Sequence, residues 1–356
     1  MRTANRGEWS EFYTFLRILA DGGIYETDAS LNRLERFMQV QECFGPGDED
    51  ERMEYKIHPD TGEVEIYSNG SICKVLPMET LDRYAGEIYR GICNGHGRAF
   101  AISGAEDILK EIGCAKIKSP SDDKADLRMR TADDGKVLGY SVKSFLGRNP
   151  TLVNASHATN FRYKVIGVDG QEAKRINAIM GKAKIRRRVE AIKKFNGSLI
   201  FDGVCSPQFS ANLKSIDPEM SKIIGCMLLE YFSGEAKSCS EIARSLENKN
   251  PLHFSYTGSY KDKIIKFLSI MEIGMMPSKP WNGEEKAKGG EIIIKKDGEV
   301  LVFRTCRTYE QNGFERYLLE HTCLDTPSTS RYGYGSIYPD EGKMWLKLNL
   351  HVRLKK

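Results

Sequence analysis

The chain has 356 residues, 40% of them hydrophobic and 29% charged, enough apolar material for a sizeable core and two domains, which excludes a disordered or fibrous protein. Its 53 Lys and Arg against 49 Asp and Glu leave a net charge of only +4, which by itself does not demand a nucleic-acid partner. No apolar run approaches the roughly 20 residues needed to cross a bilayer, and the start, Met1-Arg-Thr-Ala-Asn-Arg-Gly-Glu-Trp9, lacks the apolar core of a signal peptide, so a soluble cytoplasmic protein is expected.

In chain order, the spacing of Trp9, Phe12, Leu16 and Leu19 predicts an amphipathic helix over 7–21, stopped by Gly22-Gly23. A second helix is expected over 30–41, then an acidic run at 48–54, then a strand pair at 63–68 and 72–75 turning on Asn69-Gly70. Helices follow at 78–91 and 104–112. The segment 125–144 reads as a hairpin around Asp134-Gly135. With a two-residue turn there, Asp126 lies opposite Lys143 and Arg128 opposite Ser141, all on one polar face. Leu127, Met129, Leu138, Tyr140 and Val142 then fill the other, apolar face. Helices resume at 171–196, with Gly181 as a break, and at 218–232, 240–247 and 260–270. A hairpin at 291–304 turning on Lys296-Asp-Gly298, a short helix at 309–320 and a closing strand at 344–354 complete the chain. The nine cysteines are an odd number, widely scattered and without a C-x-x-C pair, against both a disulfide framework and a structural zinc site.

Charge is uneven. Lys174, Arg175, Lys182, Lys184, Arg186, Arg187, Arg188, Lys193 and Lys194 fall in one interval, and residues 343–356 carry five more cations. Two basic tracts can line a phosphate-binding cleft, or they are a solvated helix face and a solubilising tail.

An acid beginning one strand, a lysine on the facing strand and a further acid from a neighbouring helix suit phosphodiester hydrolysis. A divalent cation is needed to neutralise developing charge, and hard Mg2+ takes carboxylate oxygens. Asp126 is the principal candidate ligand, with Glu11 completing the site from the first helix and Glu8 as the competing choice. Lys143 would orient the attacking water, lower its pKa or stabilise the transition state.

Asp126 followed by Ser141-Val-Lys143 resembles the PD-(D/E)xK nuclease superfamily, with Ala125 in place of the proline and Ser141 in place of the second acid. Gly7-Glu-Trp-Ser-Glu11 has the G-x-x-x-E spacing with which related junction resolvases supply a glutamate. A closer resemblance, to the HpaII-type restriction endonucleases, runs through three separated places: 7–11; 139–147 with 151–156 and 159–161; and 324–331 with 347–350. The resemblance implies a Type II enzyme that cleaves double-stranded DNA at a short palindrome using Mg2+, the family's namesake site being CCGG, and it raises the expectation of a homodimer on the palindrome. Asn149, Asn154, Ser156, His157 and Asn160, and the loop carrying Ser328, Thr329, Ser330 and Arg331, have the donors and acceptors that touch bases, or are turn chemistry. Arg186, Arg187 and Arg188 are candidates for phosphate contacts.

The expected architecture is thus α/β (α+β): a PD-(D/E)xK restriction-endonuclease-like core, with a mixed central sheet flanked by helices, over 1–200. A carboxy-terminal α+β portion over 201–356 would complete the DNA-binding cleft. A structure-specific repair or junction nuclease and a DNA-binding protein with a decayed site, the latter suggested by Ser141, are the rival readings.

Overall fold

A computed structural model describes residues 2–45, 53–118, 123–234, 236–306 and 308–355. Most of the acidic run at 48–54 therefore lies outside the described residues. The fold is mixed α+β with a large mixed sheet flanked by helices. It divides into two compact units, Met1–Pro150 with Glu285–Tyr317, and Thr151–Glu284 with Leu318–Lys356. The chain passes between them three times, and the expected boundary near residue 200 falls inside the second unit.

The first unit is organised by the helix Arg6–Asp21. Its start is fixed by a capping box, in which Asn5 Oδ1 accepts from the Glu8 N–H (3.1 Å) and the Glu8 carboxylate accepts from the Asn5 N–H (2.8 Å). Its end is Gly22, at φ +73°, the left-handed conformation that glycine adopts without a steric penalty. Trp9, Phe12, Phe15, Leu16, Ile18 and Leu19 are buried almost completely. Trp9 donates its indole N–H to Phe100 O (2.9 Å), and Phe15 meets Tyr55 edge-on at 4.9 Å. The helix packs against Met78–Asn94, which begins and ends close to its expected bounds.

Nine strands form one sheet, in the order Gly23–Thr27, Val300–Arg304, Gly290–Ile294, Val137–Ser144, Leu127–Thr131, Arg33–Phe44, Glu54–His58, Glu63–Ser68, Ser71–Pro77. Gly23–Thr27 also pairs with Arg33–Phe44, so the first six strands close on themselves and leave no free edge within the ring. The expected helix at 30–41 is therefore a strand. Its apolar residues suit either period, but Met38 and Val40 are buried while Gln39 and Gln41 are exposed, the alternation of a half-buried strand. The hairpins at 63–77 and 290–304 occur as the sequence indicates.

In the second unit, Ser198–Val204, Asn160–Ile166, Lys343–Asn349 and Ile337–Asp340 form a four-stranded antiparallel sheet. Thr151–Val153, Val352–Leu354 and Thr322–Leu324 form a three-stranded one. The closing strand expected at 344–354 is thus two strands serving two sheets. Helices Pro207–Ile216, Met220–Ser233, Cys239–Lys249 and Ser259–Ile273 supply the apolar bulk. The basic segment is two helices, Gly170–Asn177 and Lys184–Lys194, with Gly181 at φ +92° in the break. Among the described residues, no helix is long and apolar enough to cross a membrane.

Because Trp9 is wholly enclosed and its indole N–H is bonded, Trp9→Ala is expected to cost about 3–5 kcal/mol of stability, read from the denaturant midpoint. An exposed cap such as Asn5→Ala should cost only about 1 kcal/mol.

Candidate active site

The hairpin of Leu127–Thr131 and Val137–Ser144 pairs Leu127 with Tyr140, Arg128 with Gly139, Met129 with Leu138 and Arg130 with Val137. This register is shifted by two from the one a two-residue turn would give. Residues 132–136 form a longer loop, in which Gly135, at φ +64°, donates its N–H to Thr131 O. A shift of two keeps every side chain on its face. Leu127, Met129, Leu138, Tyr140 and Val142 still face the core, but Asp126 does not stand across from Lys143. Its N–H bonds Tyr140 O (2.9 Å), and its Oδ2 accepts from the Val142 N–H (2.6 Å). Asp126 is thus pinned to the strand that carries Ser141 and Lys143. Lys143 Nζ donates to Ser141 Oγ (2.7 Å).

The first helix is tied to the same strand. Ser10 Oγ donates to Arg6 O (2.8 Å) and shares a hydrogen bond with Ser144 Oγ (2.9 Å), one residue beyond Lys143, in which the Ser144 hydroxyl can be the donor. This bond sets Glu11 beside the hairpin. Burial first, and the negative charge of Asp126 second, hold the Glu11 carboxyl well above the usual carboxylate range, while Lys118 and Lys143 pull it down. Glu8 is engaged elsewhere, its carboxylate closing the capping box and forming an ion pair with Lys118. Of the two helix acids, Glu11 is the one whose charge is set by Asp126 and Lys143.

On the other edge of Val137–Ser144 lies Gly290–Ile294, parallel to it, with Glu291 in register with Ser141 and Ile293 with Lys143. The close approach needs glycine, because a Cβ on Gly139 would stand 2.1 Å from Lys286 O. Glu291 is 0% exposed and Ser141 1%. Sequence reasoning read 291–295 only as a hairpin strand. The overlooked signal was one acid in an otherwise apolar run, Glu291-Ile-Ile-Ile.

These acids are hard oxygen donors of the kind Mg2+ takes, and Glu11 and Asp126 lie close enough for each to raise the cost of the other's charge. Among the described residues, no group of three His, Cys, Asp or Glu is already arranged around a common metal position.

The residues expected to touch DNA fall mostly in the second unit. Asn154, His157, Arg187, Ser328, Ser330 and Arg331 are exposed, and Asn149, Ser156, Arg186 and Thr329 are half-buried. Lys182, Lys184, Arg186, Thr326, Ser328 and Thr329 line one cavity of about 570 Å3, so part of the basic tract and the 326–329 loop do come together. Two of the expected contacts are instead internal. Asn160, 3% exposed, donates to Tyr332 O (2.9 Å) and accepts from Asn349 Nδ2 (2.8 Å). Arg188, also 3% exposed, donates to Gly335 O (2.5 Å), Asn177 O (2.5 Å), Ile179 O (3.2 Å) and Ser336 Oγ (2.9 Å). A run of three arginines on a helix must present them in different directions, and here the third points inward.

The chain matches the HpaII restriction endonuclease family over residues 5–354. The Type II restriction enzyme HpaII of Haemophilus parainfluenzae is 33% identical over 360 residues, which cover 99% of this chain and 98% of that enzyme. No solved structure matches. The protein belongs to the HpaII family of Type II restriction endonucleases, and is accordingly a site-specific deoxyribonuclease.

Two measurements check the assignments of side chains to fold or surface. Arg188→Ala leaves several buried carbonyls without a donor and should cost about 2–5 kcal/mol, whereas exposed Arg187→Ala should stay within about 0.5 kcal/mol. For Glu11, a raised pKa means that the folded state binds a proton more tightly than the unfolded one. The resulting penalty is absent below the ordinary glutamate range and complete only above the raised value. Without divalent cations, Glu11→Gln should therefore raise Tm at alkaline pH, with the gain vanishing in acid.

Proposed function

We propose that this enzyme hydrolyses phosphodiester bonds of double-stranded DNA at a short palindrome, CCGG, with Mg2+ as cofactor, on a PD-(D/E)xK core. The observation that carries this reading is the grouping of Glu11, Asp126 and Lys143 at the end of one strand, held by the Ser10 to Ser144 and Asp126 to Val142 hydrogen bonds. A helix bearing one acid, an antiparallel hairpin bearing another with the lysine, and a parallel neighbouring strand are the parts that such a core requires. The CCGG target rests on likeness to the family alone.

Asp126 and Glu11 would hold the cation. When bound, it would neutralise charge on the phosphate and favour ionisation of water. Asp126 is preorganised for this by the Val142 N–H, which fixes one carboxylate oxygen. Glu11 carries an ionisation penalty that a neighbouring cation relieves. Lys143 places an ammonium where negative charge builds on the phosphate, and Ser141 Oγ, accepting from Lys143 Nζ, restrains that ammonium near the strand. Asn149, Asn154, Ser156, His157, Arg186, Arg187 and the loop Ser328, Thr329, Ser330 and Arg331 are proposed to bind DNA, the arginines to phosphates and the loops to base edges. A palindrome has two-fold symmetry, which a pair of identical chains would match, and the place of action is the cytoplasm, where the DNA is.

The test is incubation of the purified protein with unmethylated DNA and Mg2+, followed by sequencing of the fragment ends. Discrete ends at CCGG are expected. Discrete ends at another motif would overturn the target and keep the chemistry. Asp126→Ala should lower cleavage by about 10³-fold or more while leaving DNA binding in Ca2+ largely intact, because binding rests on phosphate and base contacts. Cleavage persisting in that variant would remove Asp126 from the site.

A further inference from the structure

We propose that Glu291 supplies a further carboxylate of the metal site beside Asp126 and Glu11, standing in for the acid that the strand motif lacks at Ser141. The inference rests on the reading of Asp126 and Lys143 as the nuclease centre. Gly290–Ile294 runs parallel to Val137–Ser144, and Glu291 is paired in register with Ser141. Register partners in neighbouring strands present their side chains on the same face of the sheet. The parity is confirmed by packing: Ile292 and Ile294 join the core with Tyr140 and Val142, so Glu291 and Ile293 face the opposite way, with Ser141 and Lys143. Adjacent strands lie about 4.8 Å apart, so a carboxylate moved across one strand stays within a side chain's length of the position that a residue at 141 would reach.

Glu291 has an apolar setting within its own strand. It is the only acid in the strand Gly290–Ile294, whose other side chains are three isoleucines, and it is completely enclosed. A carboxylate in such a setting costs stability unless charged or polar groups face it, and the polar face that it shares holds Ser141 and Lys143. The same strand is held at the level of the site from both ends: Gly289 donates its N–H to Gly139 O (2.8 Å), and Phe145 donates to Ile294 O (2.8 Å). An acid and a short hydroxyl thus exchange places between two strands while the ligand count of the site is kept.

The experiment measures Mn2+ binding to the full-length protein by isothermal titration, in parallel with cleavage, for wild type, Glu291→Gln, Asp126→Asn and the double exchange Ser141→Glu with Glu291→Gln. Circular dichroism melting reports whether each variant is folded. The expected result is a folded Glu291→Gln protein whose Mn2+ affinity falls about tenfold or more, with cleavage lost, and partial recovery of Mn2+ affinity in the double exchange, which returns the acid to the neighbouring strand. If Glu291→Gln does not fold, the shorter Glu291→Asp carries the test, and Mn2+ affinity unchanged from wild type in that folded variant overturns the proposal. Should Glu291→Gln bind Mn2+ and cut like wild type while Asp126→Asn does neither, Glu291 is a buried structural acid and the nuclease centre stands. Should Asp126→Asn also bind and cut like wild type, it is the assignment of the centre itself that fails.

Discussion

The site depends on one strand being fixed from both edges. Val137–Ser144 has an antiparallel neighbour that brings Asp126 to it, and a parallel neighbour that brings Glu291 to it. Tyr140 and Val142 pack into one apolar core, and the period of two then puts Ser141 and Lys143 together on the opposite face of the strand. A lysine whose backbone has no freedom to slide is a lysine whose ammonium can be aimed. The closed ring of six strands makes this constraint stronger, since no strand in it can slip its register without displacing its neighbours around the circle.

The helix Arg6–Asp21 transmits that rigidity to the second acid. Its apolar side is so completely buried that rotation about its axis would expose aromatic surface, and Ser10 ties it to the end of the strand. Glu11 is consequently held in a half-buried place beside Asp126, although the two charges repel. Stability is given up locally for a concentration of negative charge, a pattern common where a protein must attract a cation.

Much of this was legible in the sequence, for reasons that can be located. The first helix has a cap, an apolar stripe and a glycine stop. The hairpin has alternation strong enough that even a register wrong by two left Asp126, Ser141 and Lys143 on the right face, because parity survives an even shift. The segment 30–41 was illegible because Leu34, Phe37, Met38 and Gln41 also fit a helical period, and what decides for a strand is pairing on both edges by residues distant in sequence. Asn160 and Arg188 read as surface groups because nothing local reveals that Asn349, Tyr332 and Gly335 come back to meet them. Glu291 was missed for the same reason, since a parallel pairing between residues 140 and 290 leaves no mark on either stretch alone.

That pairing has a consequence for how the protein comes into being. The unit that bears Glu11, Asp126 and Lys143 is interrupted by the whole of 151–284, and its sheet lacks two adjoining strands until Gly290–Ile294 and Val300–Arg304 have been synthesised. At ribosomal speeds of about 5–20 residues per second, the interruption lasts on the order of ten seconds. Throughout that interval the nascent chain carries the lysine and two acids on a ring that is still open. Its helix and hairpin have exposed edges that only a late segment can cover. Closure of the ring thus couples completion of the proposed centre to near-completion of translation, and a chain cut short before Gly290–Ile294 lacks the strands that flank it.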